Sequence, residues 1–227
     1  MISKLGLGSR TQAARWVSEG RVRVNGKLVH DADFPVTQGI DRILVDEREP
    51  VPPTRLVIML NKPRGLVTTA NDEQGRDTVY QCFHGAGLPW LAPVGRLDKA
   101  SEGLLLFSND PAWAARITDP ASGPEKKYHV QVDRLPDAKL LADLADGLVI
   151  DGEHLAAKSA AILRTGEKNA WLDIVLDEGR NRQIRRLLSA FDVSVLRLVR
   201  VAVGALPLGD LPKGQWRTLT PQEIDLF

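Results

Sequence analysis

Residues 95–107 read Gly95-Arg96-Leu97-Asp98-Lys99-Ala100-Ser101-Glu102-Gly103-Leu104-Leu105-Leu106-Phe107, a polar loop bounded by glycines that leads directly into an apolar run. Glycine permits the tight turns that expose such a loop, and the apolar run is typical of a buried strand. The loop places Asp98 between Arg96 and Lys99, and nearby cations favour the ionised carboxylate that a nucleophile requires. An ordinary turn aspartate is the alternative. The length of the polar stretch favours a functional site.

The composition limits the classes of protein that remain. The chain has 227 residues, of which 43% are hydrophobic and 26% charged. No apolar run approaches the roughly 20 residues that span a bilayer, so we expect no membrane partner. The single Cys82 cannot form an internal disulfide, and no export signal is evident, which predicts a cytoplasmic location. The four histidines lack metal-ligand spacing, so no metal site is expected.

The net charge of +1 conceals two basic segments. Residues 1–30 contain six lysines and arginines against one acidic residue, and residues 179–200 contain six arginines against one acidic residue. Such clusters can be merely solvated faces. Two clusters in a chain of balanced total charge fit a polyanionic partner better, so the pattern indicates nucleic acid.

The first 48 residues predict a small α+β domain. Ser9 or Thr11 can cap a helix that Gly20 ends, and Asn25-Gly26 is a favoured turn between two short strands. Residues 49–54 are rich in proline and are interpreted as a linker.

Residues 55–227 alternate between the two hydrophobic periods. Strands are predicted at 56–60, 104–107, 126–132, 170–176 and 194–200, and helices at 112–118 and 137–144. Residues 178–188 are predicted to turn from strand into helix. Asp110 followed by Pro111 is a helix-start signal. The predicted fold class is α+β: a mixed, largely antiparallel sheet domain, with its cleft across the middle of the sheet, preceded by the small N-terminal α+β domain.

The motif of residues 95–98 and 101–105 closely resembles the catalytic motif of ribosomal RNA pseudouridine synthases of the RsuA family. Residues 61–68, 178–188 and 194–204 resemble other motifs of that family, as does Lys126-x-Tyr128. The resemblance implies isomerisation of a specific uridine in ribosomal RNA to pseudouridine, through base flipping and without a cofactor. Residues 101–103 and 179–183 favour large-subunit over small-subunit RNA.

The same resemblance assigns roles to site residues. Asp98 is the catalytic residue by position, and the ring of Tyr128 stacks on the target base. Arg185 is the first choice for the arginine that pairs with Asp98, and Arg182 the second. Leu198 packs under the flipped base or belongs to the ordinary core.

Residues 8–26 resemble the alpha-L RNA-binding motif, the module named after ribosomal protein S4. Only eight residues precede Ser9, fewer than in the family's fuller first helix, so the module is expected to be shortened at its start. The resemblance predicts binding to ribosomal RNA or a pre-ribosomal particle, with domains at 1–48 and 55–227. The sequence carries no signal for an oligomer, so a monomer is expected. The expected RNA contacts are Arg10, Arg15, Arg21, Arg23, Lys62, Arg96 and Arg182.

Two other classes of protein share some of these sequence features. A noncatalytic RNA-binding factor of ribosome assembly would have no use for Asp98, Tyr128 and Arg185 together. An RNA methyltransferase with the same N-terminal module would need a glycine-rich cofactor loop after an early strand, but the glycines between residues 55 and 110 are scattered.

Overall fold

The structure, a computed structural model, describes residues 1–51 and 53–227. The N-terminal domain contains helix α1 (Arg10–Ser18) and strands β1 (Val22–Val24), β2 (Lys27–Val29) and β3 (Ile43–Val45), which form an antiparallel sheet in the order β2-β1-β3. The hydroxyl of Ser9 accepts the Gln12 amide at 3.0 Å and caps α1, as predicted. Asn25 and Gly26 both have positive φ, which is the geometry of the predicted hairpin turn. Of the predicted linker, Pro52 lies outside the described residues.

The second domain is larger and is built mainly on one nine-stranded sheet, beside a separate two-stranded hairpin. Its strands are β4 (Val57–Lys62), β5 (Ala92–Val94), β6 (Glu102–Ser108), β7 (Lys126–Val132), β8 (Leu148–Ile150), β9 (Glu153–Leu155), β10 (Ser159–Thr165), β11 (Ala170–Leu176), β12 (Val195–Val203), β13 (Leu206–Pro207) and β14 (Trp216–Thr218). Its helices are α2 (Pro111–Thr118), α3 (Ala138–Asp146), α4 (Gln183–Ala190) and α5 (Pro221–Ile224), with a 3-10 turn at Val79–Phe83.

The main sheet has the order β10-β11-β7-β12-β6-β4-β14, with β5 and β13 paired at its sides. Every pairing is antiparallel except β12 with β6, which confirms the mixed, largely antiparallel sheet predicted from the sequence. Strands β7, β12 and β6 lie next to one another in the middle of this order. The Asp98 loop (residues 95–101) therefore enters the sheet at its centre.

Gly103 makes the parallel junction possible. It pairs with Arg200 and has φ +101°, a conformation that favours glycine. A β-carbon on Gly103 would lie 2.8 Å from the Arg200 backbone nitrogen and closer still to its carbonyl oxygen. The glycine that follows the polar loop is thus required by the close approach of β12.

Strand β6 is buried along its whole length because both faces of the sheet are covered. Leu105 and Phe107 belong to the core cluster that also receives residues of α4, whereas Leu104 and Leu106 belong to the cluster that receives Trp113 of α2. Two cores therefore hold the strand that carries the Asp98 loop. None of the described helices is long and apolar enough to cross a membrane.

Candidate active site

A cavity of about 650 Å³ lies where the Asp98 loop meets β7, β12 and the start of α4. We call it the Asp98 cavity. The loop between β11 and α4 supplies one wall, and the strands supply an apolar surface. The polar and aromatic side chains that line the cavity include those of Arg96, Asp98, Ser101, Lys126, Tyr128, Arg180, Arg182, Arg185 and Arg200.

The carboxylate of Asp98 pairs with Arg182, which was the second choice from the sequence, and it forms no ion pair with Arg185, which was the first choice. The Arg182 Nη1 atom lies 3.5 Å from the Asp98 Oδ2 atom, and both side chains remain partly exposed. Arg182 has φ +50°, a left-handed turn that immediately precedes α4. Because this turn redirects the chain before the helix begins, helical spacing alone does not predict which arginine reaches Asp98.

Arg185 lies beneath the Asp98 loop instead. Its guanidinium donates to the carbonyl of Ala100 at 3.2 Å and to that of Val195 at 3.4 Å. Burial lowers the pKa of Arg185, the positive charge of Arg182 lowers it further, and the negative charge of Asp98 partly offsets both effects. Arg185 therefore braces the loop and adds positive charge near Asp98 without a direct ion pair.

The segment after β4 holds the other side of the Asp98 loop. The Thr68 hydroxyl donates to the Leu97 carbonyl at 2.7 Å and accepts the Leu97 amide at 3.3 Å. The Gly65 amide donates to the Lys99 carbonyl at 2.8 Å. The backbone on either side of Asp98 is therefore fixed by hydrogen bonds, which limits the positions that its carboxylate can take.

Lys62 occupies a different position from the one predicted. It was expected at the RNA surface, but it is fully buried, and its ammonium donates to the carbonyls of Ser101 at 2.8 Å and Pro63 at 3.1 Å. Burial lowers its pKa to about 8, against the opposing influence of Asp98 and Glu102. Lys62 is thus a brace for the end of the loop, and its burial rules out direct RNA contact.

Tyr128 and Leu198 both line the Asp98 cavity, and both are nearly buried, at 8% and 7% exposure. They stand on the neighbouring strands β7 and β12, where Tyr128 pairs with Arg200 and Leu198 pairs with Val130. The period-2 pattern of β7, with Tyr128, Val130 and Val132 on the inner face, is confirmed. The cavity thus has an aromatic and an aliphatic surface within the same space as the Asp98 carboxylate.

Two buried polar residues of this cavity were not among the site residues predicted from the sequence. Arg200 is 7% exposed, and its Nε atom donates to the Leu104 carbonyl at 2.7 Å, but it forms no ion pair with any described residue. The Ser101 hydroxyl is buried and has no hydrogen-bond partner among residues 1–51 and 53–227. Arg200 lies two residues after Leu198 on the same strand, and that spacing is the signal by which it could have been found.

Glu102 is a further residue that the sequence analysis missed. Its side chain is 3% exposed and receives both guanidinium contacts of Arg197 at 3.1 Å, together with the ammonium of Lys213. Burial acts to raise the pKa of Glu102, but these cations hold it below its ordinary value. The network ties β6 to β12 beside the parallel junction.

Three of the four N-terminal arginines predicted to contact RNA form ion pairs, and the fourth does not pair with a described acidic residue. Arg21 pairs with Asp46 at 2.6 Å, Arg23 with Glu47 at 2.7 Å, and Arg15 with Glu19 at 3.3 Å. Arg10 pairs with no described acidic residue, and it lines a cleft of about 830 Å³ between the N-terminal domain and the α2 region. The four predicted RNA contacts therefore do not form one uniform basic surface.

Gly6 contacts the second domain at that cleft. A β-carbon on Gly6 would lie 3.0 Å from the Asn109 carbonyl oxygen, and the Asn109 side chain accepts the Leu56 amide at 2.8 Å and donates to Thr54 at 3.0 Å. Asn109 thus holds the end of the linker against the sheet.

In the described part of the chain, no group of three or more His, Cys, Asp or Glu side chains is placed to hold a metal ion.

Comparisons with known proteins agree with this geometry. The RNA pseudouridylate synthase family matches residues 56–190, and the S4 domain family matches residues 1–40. The chain is 34% identical to ribosomal large subunit pseudouridine synthase B of Bacillus subtilis (strain 168), over 99% of this chain and 92% of the relative. It is 37% identical to the protein of the same description in Escherichia coli (strain K12), over 96% of this chain and 77% of the relative.

A solved structure described as a crystal structure of pseudouridylate synthase superimposes with a TM-score of 0.67 at 31% identity, and the match covers 100% of this chain and 96% of that one. The chain therefore belongs to the RNA pseudouridylate synthase family, and its N-terminal part is an S4 domain.

Proposed function

We propose that the protein isomerises a uridine of large-subunit ribosomal RNA to pseudouridine, with Asp98 as the catalytic residue and without a cofactor. The observation that carries this proposal is that Asp98, Tyr128 and Leu198 line one cavity. The relatives described as ribosomal large subunit pseudouridine synthase B support the choice of RNA.

A uridine stacked in RNA is out of reach of a carboxylate in a cavity, so the target nucleotide is flipped out of the RNA. Tyr128 and Leu198 offer apolar surface to the uracil ring, with Tyr128 as the stacking residue. The Arg182 guanidinium contacts the Asp98 carboxylate at 3.5 Å and helps to hold it in the cavity. The braced backbone of the Asp98 loop preorganises the carboxylate before the RNA arrives.

The reaction exchanges one bond of uracil for another. Asp98 either attacks the sugar–base unit or removes a proton from it, and the bond between C1′ and N1 breaks. The uracil stays in the cavity, rotates and forms a new bond between C5 and C1′. C5 then loses its proton and N1 carries one, so the product is an isomer of the substrate. The Tyr128 hydroxyl or a water molecule is the base for this last step.

The proposal also covers the domain layout and the partner. Residues 1–48 and the basic loop at the Asp98 cavity hold the RNA, and residues 55–227 perform the chemistry. Arg10, Arg15, Arg21, Arg23, Arg96 and Arg182 are the proposed RNA contacts, mainly through phosphates. The substrate is ribosomal RNA or a pre-ribosomal particle in the cytoplasm, and the active form is a monomer.

Tritium release tests the proposal, because formation of the new bond at C5 expels the hydrogen of that carbon. The wild-type protein is incubated with large-subunit or small-subunit ribosomal RNA labelled at uridine C5, both as free RNA and as precursor particles. We expect release from the large-subunit RNA, and mapping the product identifies the uridine. Absence of release from every one of these substrates would refute the proposal, and release from small-subunit RNA alone would refute the choice of RNA.

A further inference from the structure

A second cavity, of about 640 Å³, lies against the Asp98 loop. It shares residues 95–98, Gly179, Arg180 and Arg182 with the Asp98 cavity, so the Asp98 loop and the turn before α4 border both spaces. Its other wall is the loop of residues 67–76, which does not line the Asp98 cavity. Tyr128 and Leu198 are absent from its lining, so this space is distinct from the proposed uracil site.

The second cavity has cations that are available to an anion. The side chains of Arg96 and Lys99 are exposed and line the cavity, and neither forms an ion pair with any described residue. Arg182 adds a third positive charge, shared with Asp98 at 3.5 Å. Unpaired cations beside a catalytic carboxylate are suited to a phosphate group of a bound RNA chain.

The wall opposite the Asp98 loop is polar, and an ion pair braces it from within. Arg76 donates to both carboxylate oxygens of Asp72, at 2.6 and 3.0 Å, and its backbone amide donates to the same carboxylate at 2.8 Å. The side chain of Asp72 is only 6% exposed. This brace fixes the loop from which Asn71 and Gln74 line the cavity. Amide side chains on a preorganised loop can pair with the edge of a nucleobase at little entropic cost.

The position of Asp98 defines which nucleotide would occupy this space. In the proposed reaction the ribose of the target uridine lies beside the Asp98 carboxylate, and Asp98 borders both cavities. The phosphate that joins this ribose to an adjacent nucleotide must therefore lie near the Asp98 loop, which separates the two cavities. A volume of about 640 Å³ is within the range of sites that hold small ligands.

We propose that the second cavity binds the nucleotide directly adjacent to the target uridine, with its phosphate at Arg96 and Lys99 and its base against the 67–76 loop. This inference rests on the proposed function, because it assumes that the uridine is bound in the Asp98 cavity. It gives the enzyme a means of selecting the uridine by the base that neighbours it.

A double-mutant cycle between protein and RNA tests this inference. The substrates are RNA fragments around the mapped uridine, either intact or with an abasic nucleotide on the 5′ or the 3′ side of it. The proteins are the wild type, Asn71→Ala and Lys99→Gln, with Lys168→Gln as the control, since Lys168 is an exposed lysine that lines neither cavity. The measured quantity is kcat/KM for tritium release under single-turnover and steady-state conditions.

We expect the wild type to lose about tenfold in kcat/KM when one of the two neighbours is abasic. Asn71→Ala should lose a similar factor on intact RNA and little more on that abasic RNA, because the contact is already absent. Lys99→Gln should weaken binding on both RNAs and raise KM more than it lowers kcat. Lys168→Gln should follow the wild type on every substrate.

Two results would overturn the inference. The first is an unchanged kcat/KM of the wild type when either neighbour of the uridine is abasic. The second is that the losses of kcat/KM caused by Asn71→Ala and by the abasic site multiply fully when both changes are combined. In both cases the wild type would still release tritium from intact RNA, and the proposed function would stand. Failure of that release would instead refute the proposed function itself.

Discussion

The N-terminal domain and the Asp98 loop are both surrounded by cations, but the two regions use them differently. In the N-terminal domain, Arg21 and Arg23 pair with exposed carboxylates at the surface. Around the loop, Lys62 is fully buried and Arg185 is partly buried, and both donate to backbone carbonyls. Exposed ion pairs contribute little to stability, whereas a buried donor to a buried carbonyl is costly to remove. The comparison shows that the same residue type marks a surface in one region and a scaffold in the other.

The largest difference between the two regions should appear when a buried brace is removed. In Lys62→Met, the carbonyl of Ser101 loses its ammonium donor and the end of the Asp98 loop is released. We expect kcat to fall by about 10- to 100-fold, because small displacements of a catalytic group are expensive. The free energy of unfolding should fall by about 1–3 kcal/mol. Tritium-release kinetics and urea unfolding measure the two effects.

The matched variant in the N-terminal domain is Arg23→Met, which breaks an exposed pair with Glu47. Its free energy of unfolding should stay within about 1 kcal/mol of the wild type. Equal losses in Lys62→Met and Arg23→Met would remove the distinction between scaffold and surface cations.

Substitutions of Arg185 and Arg182 should differ in the same way in their effects on stability. Arg185→Met removes the donor to the Ala100 and Val195 carbonyls, and we expect a loss of about 1–3 kcal/mol in stability together with a lower kcat. Arg182→Met removes the exposed partner of Asp98, and it should lower kcat while stability changes by no more than about 0.5 kcal/mol. Parallel unfolding and kinetic measurements on the two variants decide the assignment. A larger stability loss in Arg182→Met would reverse it.

The buried ammonium of Lys62 also predicts a dependence of stability on pH. Its pKa is lowered to about 8 in the folded protein from an ordinary 10.5, so between these values the unfolded chain binds a proton that the folded protein does not. Stability from this group should therefore rise with pH across that window, by at most roughly 1.4 kcal/mol per pH unit. Urea unfolding from pH 7 to 10 should show wild type gaining on Lys62→Met. A constant difference between them would show that Lys62 is not desolvated.

The smallest effects are expected at the N-terminal surface. Arg10→Met should weaken RNA binding by a few-fold, about 0.5–1 kcal/mol, because Arg10 has no acidic partner among the described residues. Arg23→Met should weaken RNA binding less, because Glu47 already neutralises that charge. Filter binding at two salt concentrations measures both variants. A greater loss in Arg23→Met would indicate that its ion pair opens to receive RNA.

Much of the scaffold could be predicted because periodicity follows burial. Strands β7 and β11 alternate between buried and exposed positions, and helix α2 begins at the Asp110 cap with Pro111 in the first turn. Short strands such as β5, β8 and β9 were not predicted, since three residues are too few to establish a period. Their pairing depends on partners far away in the sequence or on a local hairpin. The Asp151-Gly152 turn between β8 and β9 is nevertheless a hairpin signal of the same kind as Asn25-Gly26, and it was missed.

The site was predicted in part for similar reasons. Asp98, Tyr128 and Leu198 do line one cavity, because each is placed by a strand or loop that the sequence identifies. For the partner of Asp98, the second choice, Arg182, makes the contact and not the first choice, Arg185, because a left-handed residue at Arg182 precedes the helix and a charge pattern carries no information about that turn. The predicted surface position of Lys62 was wrong because a lysine is ordinarily exposed. Its burial depends on the carbonyl that the Asp98 loop presents to it.

Single-turnover tritium release with Asp98→Asn decides whether Asp98 carries the chemistry. The variant keeps the size of the side chain, so its affinity for the same RNA, measured by filter binding, should stay within a few-fold of the wild type. We expect the variant to bind RNA with no detectable tritium release. Release at a rate near that of the wild type would contradict the assignment of Asp98, whatever the remaining residues of the cavity do.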